Sequence, residues 1–567
     1  MKQKMFYVLM LVALVLSACG TQPNATATSA PTSASGAVPA TSAPAAAPTS
    51  SGPAILHVGW TENPDTLNPA YAFLTQSYTI FDLIYSTMTT EAPDGKYIGV
   101  LAKDWSVASD NVTWTIHLKS GIKWHNGEAF KASDLVWAIN AVMQNPDWWS
   151  TSSNYTNGFK EVTAPDDNTV QIVTDYPIAN MEYRLSFLYA VYPPDFKDFK
   201  TAEDLQNFNN FNAIGTGPFK INTFDKDKGI LILDANKDYF DTPPILDQII
   251  FQKFDNADAM VQALKVGDID MISEVPATAF QTVQGFANVK AVEEDGRYFN
   301  ELIVNSVDPK NNPAPKRNPA LEDPQVRLAL ETAINRKDLV DIAVQGLGSP
   351  GDTIVPPTLG GGFWHDPNIK VVSFDIAEAN QILDADGYTL GSDGVRTKGN
   401  LRLEFRLQFP TSNPVYPRIA DMLAGWFKQI GVKANVEAVD SDSLTAAVTP
   451  TGDYDLVIWG WGPDPDPDFI LSVLTTSQFV SGGWSDSGYH NPQYDQLYLE
   501  QQKTIDKSQR QQIVWQMQEM VYNDRPYIVL YYEKLLQAYR SDRFTGFVES
   551  PLGIDIAQSL VHVKPVK

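Results

Sequence analysis

Cysteine is nearly absent from this chain: Cys19 is the only one in 567 residues. A lone thiol excludes an internal disulfide, a four-thiolate zinc site and a paired-cysteine redox centre. The six histidines (His57, His117, His125, His365, His490 and His562) are scattered, and no two stand four residues apart, so a helical two-histidine metal site is not written here. Positive charge is short as well. Lys and Arg number 42 against 67 Asp and Glu, for a net charge of −25, and the densest basic cluster is the pair Lys316-Arg317. Phosphate binding needs concentrated positive charge to release counterions, so nucleic acid is excluded as a partner. Neither a G-x-S-x-G elbow nor a G-x-x-x-x-G-K-[ST] loop occurs. Gly215-Thr216-Gly217-Pro218 starts like a dinucleotide fingerprint, but it lacks the third glycine and has proline where a phosphate would want an amide. Neither cofactor nor metal is expected.

Long apolar runs are missing too. The one at the start, Phe6 to Leu16, covers about 16 Å as a helix and cannot span a bilayer core of about 30 Å. Behind Lys2 and Lys4 it reads as the apolar region of a signal peptide over residues 1–18. The following Leu16-Ser17-Ala18-Cys19 resembles a bacterial lipobox, which implies a diacylglyceryl group on Cys19. Two acyl chains at about 0.8 kcal/mol per buried CH₂ make an anchor that one chain does not. From Thr21 to Gly52 almost every residue is Ala, Thr, Ser, Pro or Gly, so residues 19–53 are expected to form a lipidated, disordered tether. The protein is thus expected to be exported and held on the outer face of the cytoplasmic membrane or in the periplasm.

What remains, from Ile55 to about Val563, is an ordinary globular composition with 43% hydrophobic and 19% charged residues, long enough for several domains. Thr113 to Lys119 alternates Trp114, Ile116 and Leu118 on one face, the period of a strand, and His125-Asn126-Gly127 reads as a turn. A helix is expected from Ala132 to Gln144, ahead of Pro146. Asp323-Pro324 should cap a helix running to about Gly346, and Asp375 to Gly387 repeats that grammar. Ile419 to Ile430 reads as a helix stopped by Gly431, with a strand from Val432 to Val439. Helix and strand alternate, so the class is α/β, or mixed α+β.

The densest chemical feature is Trp459-Gly460-Trp461-Gly462-Pro463-Asp464-Pro465-Asp466-Pro467-Asp468-Phe469. Its three acids fit the start of a calcium loop, but Phe469 and Thr475 stand where that loop needs Gly and Glu. The prolines forbid helix and should hold the segment extended past the apolar strand Leu456-Val457-Ile458. Two indoles and three carboxylates at a strand end make a candidate ligand loop. Equally, the acids could cap nearby amides while the indoles sit in the core.

Leu101-Ala102-Lys103-Asp104-Trp105, Thr113 to Lys119 and Gly121 to Leu135 together resemble the signature of the family 5 extracellular solute-binding proteins, the oligopeptide, dipeptide and nickel receptors of ABC importers. Further matches follow in order: Pro64 to Pro69, Ile214 to Phe219, Gly267-Asp268-Ile269-Asp270, Val326 to Leu330 and Ser487 to Pro492. The resemblance implies a two-lobed, periplasmic-binding-protein-like clamshell of three domains. Residues 54–94, 215–301 and 520–567 would form the main domain of the first lobe, 95–214 an additional domain, and 302–519 the second lobe, with crossings near Ile303 to Asn305 and near Tyr522. It implies a receptor, not an enzyme, that closes on its solute and hands it to a membrane permease. In the peptide-binding branch an aspartate of the tryptophan-and-aspartate segment pairs with the α-ammonium, and the match falls on Asp464, although this chain has proline where the dipeptide receptors have glycine. Trp461 and Trp459 are the implied aromatic contacts, and Tyr71 to Gln76 the implied pocket wall, with Tyr71 and Gln76 as its candidates. A peptide is the first expected ligand and an oligosaccharide the second, since indoles beside carboxylates suit sugars too. A nickel chelate is weaker for want of a histidine pair. From another class, a secreted glycosidase could use two loop aspartates as acid and base. A monomer is expected.

Overall fold

The computed structural model describes residues 52–308 and 316–566. The expected signal peptide, Cys19 and all but the last two residues of the 19–53 tether lie outside the described residues.

Ile55–Trp60 (β1) buries Leu56, Val58 and Trp60 on alternate positions. It is followed by helix Thr75–Ile84 (α1), whose Ile80, Phe81, Leu83 and Ile84 face the same core. An antiparallel four-stranded sheet comes next, in the order Ala102–Val107 (β2), Thr113–Leu118 (β3), Thr169–Thr174 (β5) and Phe159–Asp166 (β4). Helix Ala132–Gln144 (α2) packs its Leu135 and Ile139 onto Trp114 and Ile116 of that sheet, and the short helix Met181–Leu185 (α3) closes its edge. Strands Phe219–Asp225 (β6), Ile230–Ala235 (β7), Gln248–Lys253 (β8) and Met271–Ile272 (β9) return to β1.

Val289–Val304 (β10), at sixteen residues, leads into the second half of the molecule. There Glu404–Pro410 (β11), helix Tyr416–Gln429 (α4), Lys433–Val439 (β12) and Leu456–Trp461 (β13) build a layered unit. Ile419, Ala420, Leu423 and Phe427 form the buried stripe of α4, and Gly431, at φ +73°, ends the turn behind it. Helices Asp468–Val473 (α5) and Lys507–Asp524 (α6) cover the opposite face, and Tyr527–Arg540 (β14) runs back.

Ten strands join one continuous sheet, in the order β12-β11-β13-β10-β14-β9-β1-β8-β7-β6, and Gly348–Pro350 adds to β14. The two lobes therefore share a single sheet whose middle is the antiparallel pair β10 and β14. At one end of that pair Val289 to Asp295 lie opposite Arg540 to Lys534; at the other, Phe299 to Ile303 lie opposite Tyr532 to Tyr527, and the register shifts between Asp295 and Phe299. On β10 the pairing with β13 begins at Phe299, just past that shift, while β14 runs opposite both stretches. The class is α/β of the two-lobed clamshell type.

Two segments that carry the resemblance turn out to be packing partners of each other. The backbone N–H of Gly215 donates to His125 Nδ1 at 3.1 Å, and His125 Nε2 lies 3.1 Å from the Gly217 carbonyl, so the ring is neutral and donates through Nε2. Burial holds its pKa down to about 4. A Cβ on Gly215 would sit 1.8 Å from the carbonyl oxygen of Ile84, which is why this position carries glycine.

Two expectations need correcting. The helix begun at Asp323 ends at Thr332, because Asn335 accepts from the Asp338 amide and restarts the chain as Arg336–Asp338. The proline-rich segment is extended only to Asp464. Pro467 takes helical angles (φ −68°, ψ −9°), and α5 starts at Asp468. Proline is tolerated there because a helix entrance leaves its first amides unpaired anyway.

Candidate functional site

The two lobes touch in a closed arrangement. Ala179 N donates to the Gln502 carbonyl at 2.9 Å across the gap, and the turn at Asp94-Gly95 rests against Gly360-Gly361. Between these contacts the Tyr183 hydroxyl, from α3 of the first lobe, donates to Asp464 Oδ2 of the second at 2.5 Å. Among the described residues no cation pairs with Asp464. Burial, with the nearby Asp466 and Asp468 adding to it, pushes its carboxyl up to about 6 while the Tyr183 bond pulls the other way.

The neighbouring acids are structural. Asp466 takes both guanidinium nitrogens of Arg510 at 2.6 and 2.5 Å, in a pair that is almost wholly buried, and Arg510 also donates to Gln501. Asp466 Oδ1 additionally accepts from the Asp468 amide at the start of α5. Asp468 accepts from Gln501 Nε2 at 2.6 Å. Of the three carboxylates on this segment, Asp464 alone reaches the opposite lobe through a side-chain hydrogen bond.

Trp459 and Trp461 stand at the end of β13, both half-buried, packed against the core under α5 and α6. Trp461 Nε1 donates to Asp486 Oδ2 at 3.0 Å, and its ring meets Phe469 edge-on. Asp486 is also held by the Tyr527 hydroxyl, and burial pushes it up to about 6. Trp459 lies opposite Glu301 of β10. Glu301 is fully buried with no hydrogen-bond partner on either oxygen among the described residues, and its desolvation raises its pKa well above the usual carboxylate range. Tyr298, one strand position from Phe299, lies across Gly460: a Cβ there would sit 2.4 Å from the tyrosine ring.

Beside this line a cavity of about 580 Å³ opens at the floor of the cleft, between α1, the Ser273 to Ala277 turn, the middle of β10 and β14, and the C-terminal segment. Gln76 lines it, as do Tyr78 and Tyr298. Tyr71 does not. Its ring packs on the first-lobe core and its hydroxyl donates to the Asp147 carbonyl at 3.4 Å. On the other side of Tyr183 a cavity of about 290 Å³ separates the lobes, bounded by Trp105, Trp364, Asp466 and Arg510. Among the described residues no group of three or more His, Cys, Asp or Glu is placed to hold a metal ion, and no helix is long and apolar enough to cross a membrane.

A closed cleft between two lobes that share one sheet, with an unpaired carboxyl at the seam, is the layout of a solute receptor. The family model for bacterial extracellular solute-binding proteins, family 5, middle part, matches residues 96–482. The chain belongs to this family. The oligopeptide-binding protein AppA of Bacillus subtilis (strain 168) is 26% identical over 532 residues, 93% of this chain and 92% of that protein. The dipeptide-binding protein of Escherichia coli (strain K12) is 24% identical over 519 residues, 87% and 90% of the two chains. In structure, the ABC transporter substrate-binding protein CtaP of Listeria monocytogenes superposes with a TM-score of 0.78 at 23% identity, covering 90% of this chain and 99% of its own. Family 5 proteins are transport receptors. Within this fold the residues that sequence reasoning missed are Tyr183, Asp486 and Tyr298. Asp486 directly precedes a family-like segment and carried a signal; Tyr183 and Tyr298 carried none.

Proposed function

We propose that this protein is the substrate-binding component of an ABC importer, exported and lipid-anchored through Cys19, that encloses a peptide between its lobes and delivers it to a membrane permease. In this reading Asp464 takes the peptide's α-ammonium, Trp461 and Trp459 flank the bound chain, and Gln76 lines its pocket, with residues 54–94, 215–301 and 520–567 serving as the main domain of the first lobe.

The observation that carries the reading is the state of Asp464. It is a carboxyl taken out of water at the lobe seam with a neutral hydroxyl as its side-chain partner, so its charge is uncompensated until a cation arrives. A peptide ammonium supplies that cation; an oligosaccharide supplies none, which ranks the sugar second. The peptide-binding names of the AppA and dipeptide-binding relatives point the same way. Closure then follows from differential affinity: the ammonium is held by both lobes only when they meet, so the ligand draws the open form shut. A micromolar solute has about 8 kcal/mol to divide between contact and closure.

Calorimetry of the soluble body with a free tripeptide and with its N-acetylated form tests this directly. The free peptide is expected to bind and the blocked one to lose at least a hundredfold. Equal affinities would remove Asp464 from the ligand. Recovery of the peptide chemically intact separates a receptor from a glycosidase or any other hydrolase, and mass spectrometry of the mature N-terminus checks for the diacylglyceryl cysteine.

A further inference from the structure

The 580 Å³ cavity at the cleft floor is lined by four carboxylates from four separate segments: Asp82 of α1, Glu274 after β9, Glu533 of β14, and Asp555 near the C-terminus. Two cations also line it, and both are already spoken for. Arg297 makes a two-pronged pair with Glu91 at 2.6 and 2.8 Å, and Lys534 reaches Asp295 at 2.7 Å. Among the described residues the four acids have only neutral donors, or none. Asp82 Oδ2 accepts the Ala557 amide at 2.6 Å, and its other oxygen has no donor among the described residues. Asp555 accepts from Gln537 at 2.8 Å and Glu533 from Asn300 at 2.8 Å. Burial raises the pKa of Asp82 to about 6 and that of Asp555 and Glu533 in the same direction; Asp82 also feels the charge of Asp555, and Asp555 and Glu533 that of Glu274. At neutral pH this is still a negative cavity, and a low-dielectric wall makes its like charges costly. Trp60, 4% exposed, also lines it, and its indole N–H finds no acceptor among the described residues. The floor is thus rich in acceptors that meet no cation, beside a buried donor with no acceptor among the described residues.

We infer that this cavity takes a cationic side arm of the solute, an alkylammonium or guanidinium on an aliphatic stem, so that the protein selects peptides carrying a lysine or arginine side chain. The inference rests on the peptide-receptor reading and adds to it a second positive charge, distinct from the α-ammonium at Asp464. The acids are too dispersed to chelate an ion, since no three of them come together among the described residues. A long, flexible cation can satisfy them in turn. The stem has apolar wall to lie on, from Trp60, Tyr78, Val275, Leu536 and Ile556. A volume of about 580 Å³ accommodates such an arm and the backbone that carries it.

The test is calorimetry with Ala-Lys-Ala, Ala-Leu-Ala and Ala-Glu-Ala, all with free amino termini, and with spermidine, on the wild-type body and on Asp82→Asn and Glu533→Gln. Both substitutions keep an acceptor for the Ala557 amide or the Asn300 amide, and thermal melting checks that the variants fold. The lysine peptide is expected to bind at least tenfold more tightly than the leucine peptide, with the glutamate peptide weakest, and each variant to bring the lysine-to-leucine ratio towards one. Equal binding of all three peptides overturns the inference and leaves the peptide reading standing. Spermidine binding without any peptide binding, lost in the two variants, upholds the cationic cavity and overturns the peptide reading. Binding of neither spermidine nor the lysine peptide overturns both, and an unchanged ratio in both variants overturns the assignment to this cavity.

Discussion

Asp464 and Asp466 stand two residues apart in the same Pro-Asp repeat, and their surroundings are opposite. Asp466 faces inward to Arg510, which lies over the Trp364 ring at 4.8 Å and fills its remaining valence on Gln501. Asp464 faces the gap and has one hydroxyl from the other lobe. One carboxylate is completed by its own lobe and serves the fold; the other meets only a neutral hydroxyl and, in the proposed reading, is the one that takes the ligand. Residue type and spacing are the same at both positions, so the difference lies in what the second lobe and the first lobe bring to each.

The contrast can be broken most directly at Asp466. Asp466→Ala strands the Arg510 charge in a dry site and is expected to cost about 3–5 kcal/mol of stability by chemical denaturation. A loss under about 1 kcal/mol would show that this pair is no more structural than Asp464. Asp464→Ala should do the reverse: peptide affinity falls at least a hundredfold, about 3 kcal/mol, while the denaturation midpoint barely moves. A large drop in stability there would merge the two acids into one role.

The pH dependence of the empty protein sharpens the comparison further. Asp464 binds its proton more tightly in the closed form, at about 6, than an exposed aspartate does. The empty closed form is therefore favoured at low pH, loses ground as pH rises from about 4 to about 6, and is flat above that, an effect on the order of 2 kcal/mol after solvent screening. X-ray scattering of the ligand-free protein should report compaction on acidification, and Asp464→Asn should flatten the profile. An unchanged profile in that variant would assign the titration to another buried acid, such as Asp486. The smallest effect is expected from Tyr183→Phe, which removes the hydroxyl and should shift the empty protein towards the open form by about 1 kcal/mol, read by the same scattering.

Much of this was written along the chain. Helix 132–144 is bounded by local signals, so its ends are legible, and the alternation of Trp114, Ile116 and Leu118 gives a strand whose buried face is the expected one. The end of the helix begun at Asp323 is not legible, because the apolar period continues past Asn335, where a side-chain cap turns the chain without interrupting the pattern. The tryptophan-and-aspartate segment announced itself by composition, and Gln76 does line the cleft floor. Composition could not divide Asp464 from Asp466, since their partners Tyr183 and Arg510 lie 281 and 44 residues away. Nor could it keep Tyr71 out of the cavity, because an aromatic ring in a pocket wall and one in the adjacent core have the same sequence.

The register shift between Asp295 and Phe299 has a mechanical meaning. Two antiparallel strands bonded on both sides of that point resist sliding past each other, because sliding would break every ladder bond at once. They resist twisting far less, and least where the ladder is already interrupted. At Gly296 a Cβ would lie 2.7 Å from the Glu533 carbonyl, so the two backbones approach here with no room for a side chain between them. In the proposed reading the joint of this clamshell is a torsion ribbon a few residues long, and because Glu533 both lies on it and lines the acidic floor, a solute settling there would also set the angle of the jaws.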